Sequence, residues 1–250
     1  MLEQINQIIE RGEAELPHLP SFHNTRSYLF REICDTNQIH PTPCSVFDED
    51  IAYFFYGKPS YRAVADQKNP DKSFSSNRHL PVCIAVDSSV LELERIFPFD
   101  SGGFEKGIYF PHLEGDDYTL ESFNLGKDSI LPMKLVATFF GTNNNYIEGE
   151  IRSDVGFLSF FEFELEDYLN LIKAKNQNGD DRRSSIELQT KNSVVLDRNS
   201  VFAVTLPLSA LSNQSILAKI VGEWGAIPIT HRIKGVKALI KQALNDRFEL

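Results

Sequence analysis

The sequence predicts an α+β fold in one compact domain spanning residues 1–250, and three observations carry that prediction. The chain is 42% apolar and 24% charged over 250 residues, with 14 Gly and 12 Pro, a composition that can bury a core without disulfide or metal staples. Runs with strand-like alternation and segments of helical period follow one another without the strict order of a doubly wound sheet. No repeat, low-complexity tract or composition break marks an internal linker.

Leu2 to Gly12 reads as a short amphipathic helix, with Leu2, Ile5, Ile8 and Ile9 on one face. Asn24 to Asp35 reads as a second helix, with Tyr28, Leu29 and Ile33 inward. Asp50 to Tyr56 is aromatic and β-branched between an acidic turn and Gly57, which predicts a buried strand. Pro81 to Asp87 predicts another, and Ser88 to Arg95 a short helical piece. Asp100 to Phe104 reads as a loop, Gly107 to Phe110 as a strand, and His112 to Asp128 as an acidic loop. Leu131 to Phe140 fits a helix or a strand equally. Phe160 to Ala174 ends in a helix. Ser185–Thr190, Ser193–Asp197 and Ser200–Leu206 are three short strands between polar turns. Ser215 to Gly222 is helical, and Ile233 to Arg247 is a basic amphipathic helix with Val236, Leu239, Ile240, Ala243 and Leu244 inward.

Charge and cysteine usage narrow the function classes. Lys and Arg total 25 against 35 acidic residues, a formal charge of −10, which argues against broad non-specific nucleic-acid binding. A local basic groove stays open. Cys34, Cys44 and Cys83 are too few and too irregularly spaced for a disulfide framework or a zinc site, so reduced thiols are expected. The longest uncharged stretch, Asn199 to Ala218, is interrupted by Pro207, Asn213, Gln214 and four serines, so it reads as no bilayer span. The first fifteen residues lack a basic-then-apolar leader. The expectation is a soluble, cytoplasmic chain with no membrane partner.

Glycine-rich phosphate loops, HExxH, paired CxxC and GxSxG are all absent. What remains is chemistry that needs few residues and no metal. Three segments stand out, each with a plain structural reading beside it. His23-Asn24-Thr25 sits where a helix was expected to start, and Asn24 or Thr25 could simply cap it. Ala52 to Arg62, AYFFYGKPSYR, could be a core strand and its exit turn. In Arg182 to Gln189, RRSSIELQ, Glu187 and Gln189 alternate with Ile186 and Leu188 and so share a strand face, most simply a solvated one.

In this order the three segments resemble the ADP-ribosyltransferase superfamily, in the branch of the poly(ADP-ribose) polymerases and the bacterial DNA-modifying toxins. There a His-x-Thr/Ser motif closes an early strand, a strand–helix segment of the type YF…S..Y follows, and a Glu lies on a later strand. The resemblance touches about thirty residues. It implies an ADP-ribosyltransferase-like set of mixed sheets with flanking helices, and NAD as substrate. It makes Glu187 the catalytic carboxylate, stabilising an oxocarbenium-like state and polarising the nucleophile. His23 and Thr25 would hold the adenosine-side ribose, with Gln189 also on the cofactor. One ring among Tyr53, Tyr56 and Tyr61 would stack on nicotinamide. Arg62, Arg182 and Arg183 would meet an anionic group. Lys58, Arg62, Lys68, Lys72 and Arg78 outnumber Asp66 and Asp71, and Arg182, Arg183, Lys191 and Arg198 flank the Glu187 strand. If both segments border one cleft, it would be basic. The implied partners are a macromolecular acceptor, protein or nucleic acid, and an inhibitory partner or antitoxin if the chain is a toxin or defence effector. Two rivals are a non-catalytic nucleotide- or protein-binding module on the same fold, and a magnesium nuclease using Asp180 or Asp181 with Glu187, Gln189 and Lys191.

Overall fold

A computed structural model describes residue 9 and residues 16–60, 77–113, 118–153, 155, 163–174 and 181–231. Within them the chain mixes helices and sheets, as an α+β fold requires. β1 (Ser21–Arg26) leads into α1 (Ser27–Thr36), the short β2 (Gln38–Ile39) and β3 (Thr42–Cys44), and then β4 (Glu49–Tyr56). β5 (Pro81–Val86) and β6 (Arg95–Phe97) precede four helices, α2 (Ser101–Glu105), α3 (Leu131–Phe139), α4 (Asn143–Glu148) and α5 (Phe163–Lys173). β7 (Glu187–Thr190), β8 (Val194–Val195), β9 (Val201–Pro207), α6 (Gln214–Leu217) and β10 (Ile227–His231) close the described chain, with a π-helical stretch, Ala218–Glu223, after α6.

Seven strands follow one another in the order β10-β9-β5-β1-β4-β7-β6, and β3 adds to β4 as the eighth strand of that sheet. Every pairing in it is antiparallel except β10 on β9. β2 and β8 form a separate two-stranded ribbon. One face of the large sheet, with Phe54, Tyr56, Ile84, Val86, Leu188, Val204 and Leu206, joins the main hydrophobic cluster together with Phe30 and Ile33 of α1. On the opposite face Phe22, Cys83 and Ala85 form a small separate cluster. β4 leaves the sheet at Gly57, whose φ of 68° is the left-handed region, and a Cβ there would collide with Leu19 and press on Tyr146.

Several sequence expectations are corrected. The helix expected from Asn24 begins at Ser27, because Asn24 and Thr25 pair with Cys83 and Val82 as strand residues. Its buried face is therefore Phe30, Ile33 and Cys34, and Tyr28 and Leu29 are exposed. Asp100 to Phe104 is not a loop: Asp100 caps α2 through Gly103 N–H. Gly107 to Phe110 is not a strand, and Phe110–His112 is a 3₁₀ turn. Leu131 to Phe140 resolves as helix, started by Pro132 in its first turn. β6, β10 and α4 were missed altogether. The expected helices at 2–12 and 233–247 lie outside the described residues, apart from Ile9, which is helical and buried.

Candidate functional site

Directly opposed residues of antiparallel strands share a face. Ala85, Phe22, Phe55, Glu187 and Phe97 therefore form one row across β5, β1, β4, β7 and β6. The adjacent row on that face holds Tyr53, Gln189 and Arg95, with Asn24 opposite Cys83 on the β1 side. The strands of the three quoted segments, β1, β4 and β7, are thus neighbours in the sheet. The β1–β4 ladder is two pairs long and ends at Phe22 and Phe55. Beyond it His23 Nδ1 lies 2.9 Å from the Tyr53 carbonyl oxygen.

Glu187 is 2% exposed, so the solvated face expected for it is instead buried. Its Oε1 accepts from Ser101 Oγ at 2.7 Å and from Gln189 Nε2 at 2.7 Å, and its Oε2 accepts from Ser101 N–H at 3.1 Å. Burial pushes its carboxyl up to about 8, Asp100 adds to the shift, and the donors from Ser101 and Gln189 oppose it. Gln189 is held in turn by Arg95, whose Nη1 donates to its Oε1 at 3.2 Å. Arg95 pairs with Glu49 and lies 4.7 Å over the Phe47 ring. Tyr53 donates its hydroxyl to Cys44 Sγ at 2.7 Å, and burial pushes its own ionisation upward.

The other expected site residues are placed differently. Alternation puts Phe22 and Asn24 on the Glu187 face of β1, and His23 and Thr25 on the opposite one. Burial lowers the pKa of His23, against the Tyr53 hydrogen bond, so the ring is neutral at pH 7. Because a carbonyl only accepts, the proton sits on Nδ1 and leaves Nε2 as an acceptor. Tyr56 is buried in the core, its hydroxyl accepting from Leu19 N–H and its carbonyl accepting from the Tyr146 hydroxyl. That removes it as a stacking ring. Tyr61 and Arg62 lie outside the described residues. Arg182 and Arg183 form a 3₁₀ turn with Ser184, and the Arg182 carbonyl accepts from Asp100 N–H, one residue from the groups that hold Glu187. Arg182 is buried.

The two basic segments do meet, because Lys58 Nζ donates to Ser184 Oγ at 3.2 Å and to the Tyr146 carbonyl at 3.1 Å. Lys58 is buried there, however, and Lys191 is paired with Glu49 and Glu94. Arg198 donates to the Gly222 carbonyl. Of the residues expected to make a basic cleft, Lys191 is paired and Lys58 is buried, while Arg62, Lys68 and Lys72 lie outside the described residues.

Ser101, Asp100, Arg95, Asn24 and Ser60 were missed by the sequence reading. An Asp-Ser step before Gly102-Gly103 is a helix-start signal that could have pointed to Asp100 and Ser101. Asn24 and Ser60 lie within the first two quoted segments, Asn24 read there only as a helix cap and Ser60 given no role of its own. Asn24 Nδ2 donates to the Ser60 carbonyl at 2.7 Å, yet Asn24 Oδ1 and Ser60 Oγ are both buried without a hydrogen-bond partner. Orphaned buried polar atoms are rare in folded proteins and call for a reason. Among the described residues no group of three or more His, Cys, Asp or Glu side chains is placed to hold a metal ion, and no helix is long and apolar enough to cross a membrane. Comparison of the chain with protein-family models, curated proteins and solved structures finds no match.

Proposed function

We propose that the chain is an NAD-dependent ADP-ribosyltransferase acting on a macromolecular acceptor, with Glu187 as its carboxylate. The observation that carries this reading is the adjacency of β1, β4 and β7, which sets Tyr53, Gln189 and Glu187 on one face beside the short β1–β4 ladder. The unpartnered Asn24 Oδ1 and Ser60 Oγ add support. An acceptor and a hydroxyl side by side complement a carboxamide, whose NH₂ donates and whose oxygen accepts. The ribose role that the resemblance gives His23 would use Nε2 as acceptor, from the face of β1 opposite Glu187.

In the reaction the bond between ribose C1 and the nicotinamide nitrogen breaks, and its electron pair leaves with neutral nicotinamide. Positive charge develops on the ribose ring, and the acceptor nucleophile bonds to C1 as its proton passes to a base. Ionised Glu187 would stabilise that charge and take that proton. Free Glu187 is largely protonated at pH 7, so kcat/KM should rise with pH and level off above about 8. The cationic nicotinamide ring of bound NAD favours the ionised form.

The binding-module reading has two observations in its favour. Glu187 is buried and fully engaged by its neighbours, while His23 lies on the other face. Nicotinamide release with a cell lysate as acceptor source, measured beside NAD binding, separates the two. The transferase reading expects release, a loss of about 10²–10³ in rate for Glu187→Gln, and weaker NAD binding for His23→Ala. NAD binding without release supports the module instead, and neither binding nor release ends the transferase reading.

A further inference from the structure

We infer that the Glu187 carboxylate is held in a clamp of two sides that meet at Oε1, one from Ser101 and one from the Arg95–Gln189 pair, and that these three are positioning residues. The use of the clamp in transfer rests on the function proposed above; the clamp itself rests on geometry. Ser101 reaches both carboxylate oxygens at once, its N–H to Oε2 and its hydroxyl to Oε1, which fixes the plane of the group. That N–H belongs to the first residue of α2, set by the Asp100 cap and by Gly103, where any Cβ would collide with the Tyr109 hydroxyl.

The second side depends on which end of the Gln189 amide faces Glu187. A guanidinium has donors only, so Arg95 engages the amide oxygen and leaves the NH₂ to donate to Glu187. Arg95 is itself pinned by Glu49 and by the Phe47 ring. Both ends of Gln189 are therefore used internally, a role different from the cofactor contact that the resemblance assigns to it. Among the described residues, the charged and titratable groups around Glu187 include Asp100 before α2, Tyr53 of β4 with Cys44 of β3 behind it, and Arg95 of β6 acting through Gln189, with Glu49 and Lys191 beyond. Ser101 and Gln189 favour the ionised carboxylate, and Asp100 opposes it.

The test is a carboxyl-carbon NMR titration of Glu187 in the full chain, its signal identified by its loss in Glu187→Gln. Ser101→Ala and Gln189→Leu should each raise the midpoint by about one pH unit, the effect of one lost hydrogen bond to a charged group. Arg95→Met should raise it less, and Arg95→Lys should restore most of the change, because one donor to the amide oxygen remains. If the protein releases nicotinamide, Ser101→Ala should lower kcat by about ten- to a hundredfold with KM for NAD nearly unchanged. Folded Ser101→Ala and Gln189→Leu variants with unmoved midpoints would overturn the clamp, whatever the activity. Shifted midpoints in a protein that releases no nicotinamide would leave the clamp standing and remove only the transferase reading. If Gln189→Leu does not fold, the Met and Lys variants of Arg95 decide that side, and equal midpoints in both would refute it.

Discussion

On the face that carries Glu187, the two halves of the sheet are built from different materials. The β9–β5–β1 half presents Ala203, Ala85, Cys83 and Phe22, with Asn24 and Thr205 as its polar groups. The β4–β7–β6 half presents Tyr53, Gln189, Glu187 and Arg95, and each of these polar groups is engaged by a neighbour. Burying such groups is tolerable only when their hydrogen bonds are remade inside the protein. Strand alternation therefore identifies a face without saying whether it is wet. For Glu187 the deciding partner, Ser101, is 86 residues away in the chain.

The largest effect should come from moving a charge one residue along β7. Leu188 is 1% exposed and points into the main cluster, between Glu187 and Gln189 in sequence but on the other side of the sheet. Leu188→Asp would place a carboxylate where no donor awaits it, at a loss of about 4 kcal/mol or more. Urea unfolding measures it. A loss no greater than that of Glu187→Gln would mean that the two faces are not different in kind.

A smaller loss is expected where the core joins the site strand. The Tyr146 hydroxyl donates to the Tyr56 carbonyl at 2.8 Å and accepts from Ile186 N–H at 3.0 Å, bridging the end of β4 to the residue before β7. Tyr146→Phe keeps the ring and leaves Ile186 N–H buried and unpaired, while the Tyr56 carbonyl keeps its bond from Lys58 N–H, at a loss of about 1–3 kcal/mol. A melting temperature equal to that of the unmodified protein would show that neither bond contributes.

How much of this was legible follows from the range of the interactions. β4, β5, β7 and β9 were readable because their apolar and β-branched runs are local signals. The shared face of Glu187 and Gln189 was readable for the same reason. The burial of that face was not, since it is set by α2 and β6, and Arg95-Ile96-Phe97 is too short to show a period. The start of α1 was misread because Asn24 and Thr25 are good capping residues, and their pairing with β5 overrode that preference. The opposite orientation of His23 relative to Glu187 depends on the strand register, which only the assembled sheet fixes.

The last effect has an unusual sign. The Glu187 carboxyl is raised to about 8 in the fold, above its ordinary value near 4.5. The folded state therefore binds a proton more tightly than the unfolded state, and stability falls as pH rises from about 4.5 to about 8. Below that window both states are protonated and the contribution is fully present; above it both are ionised and it is gone. Glu187→Gln keeps the shape, stays neutral and lacks this slope. Relative to the unmodified protein, its melting temperature should therefore improve by several degrees or more between pH 5 and pH 8.5. At the higher pH the variant should equal or exceed the unmodified protein, although its activity should be lower if Glu187 serves the transfer. Melting curves of both proteins across pH 4.5–9 give the answer. Parallel curves would mean that Glu187 titrates alike in the folded and unfolded chain, and that its half of the sheet face is as wet as an ordinary surface.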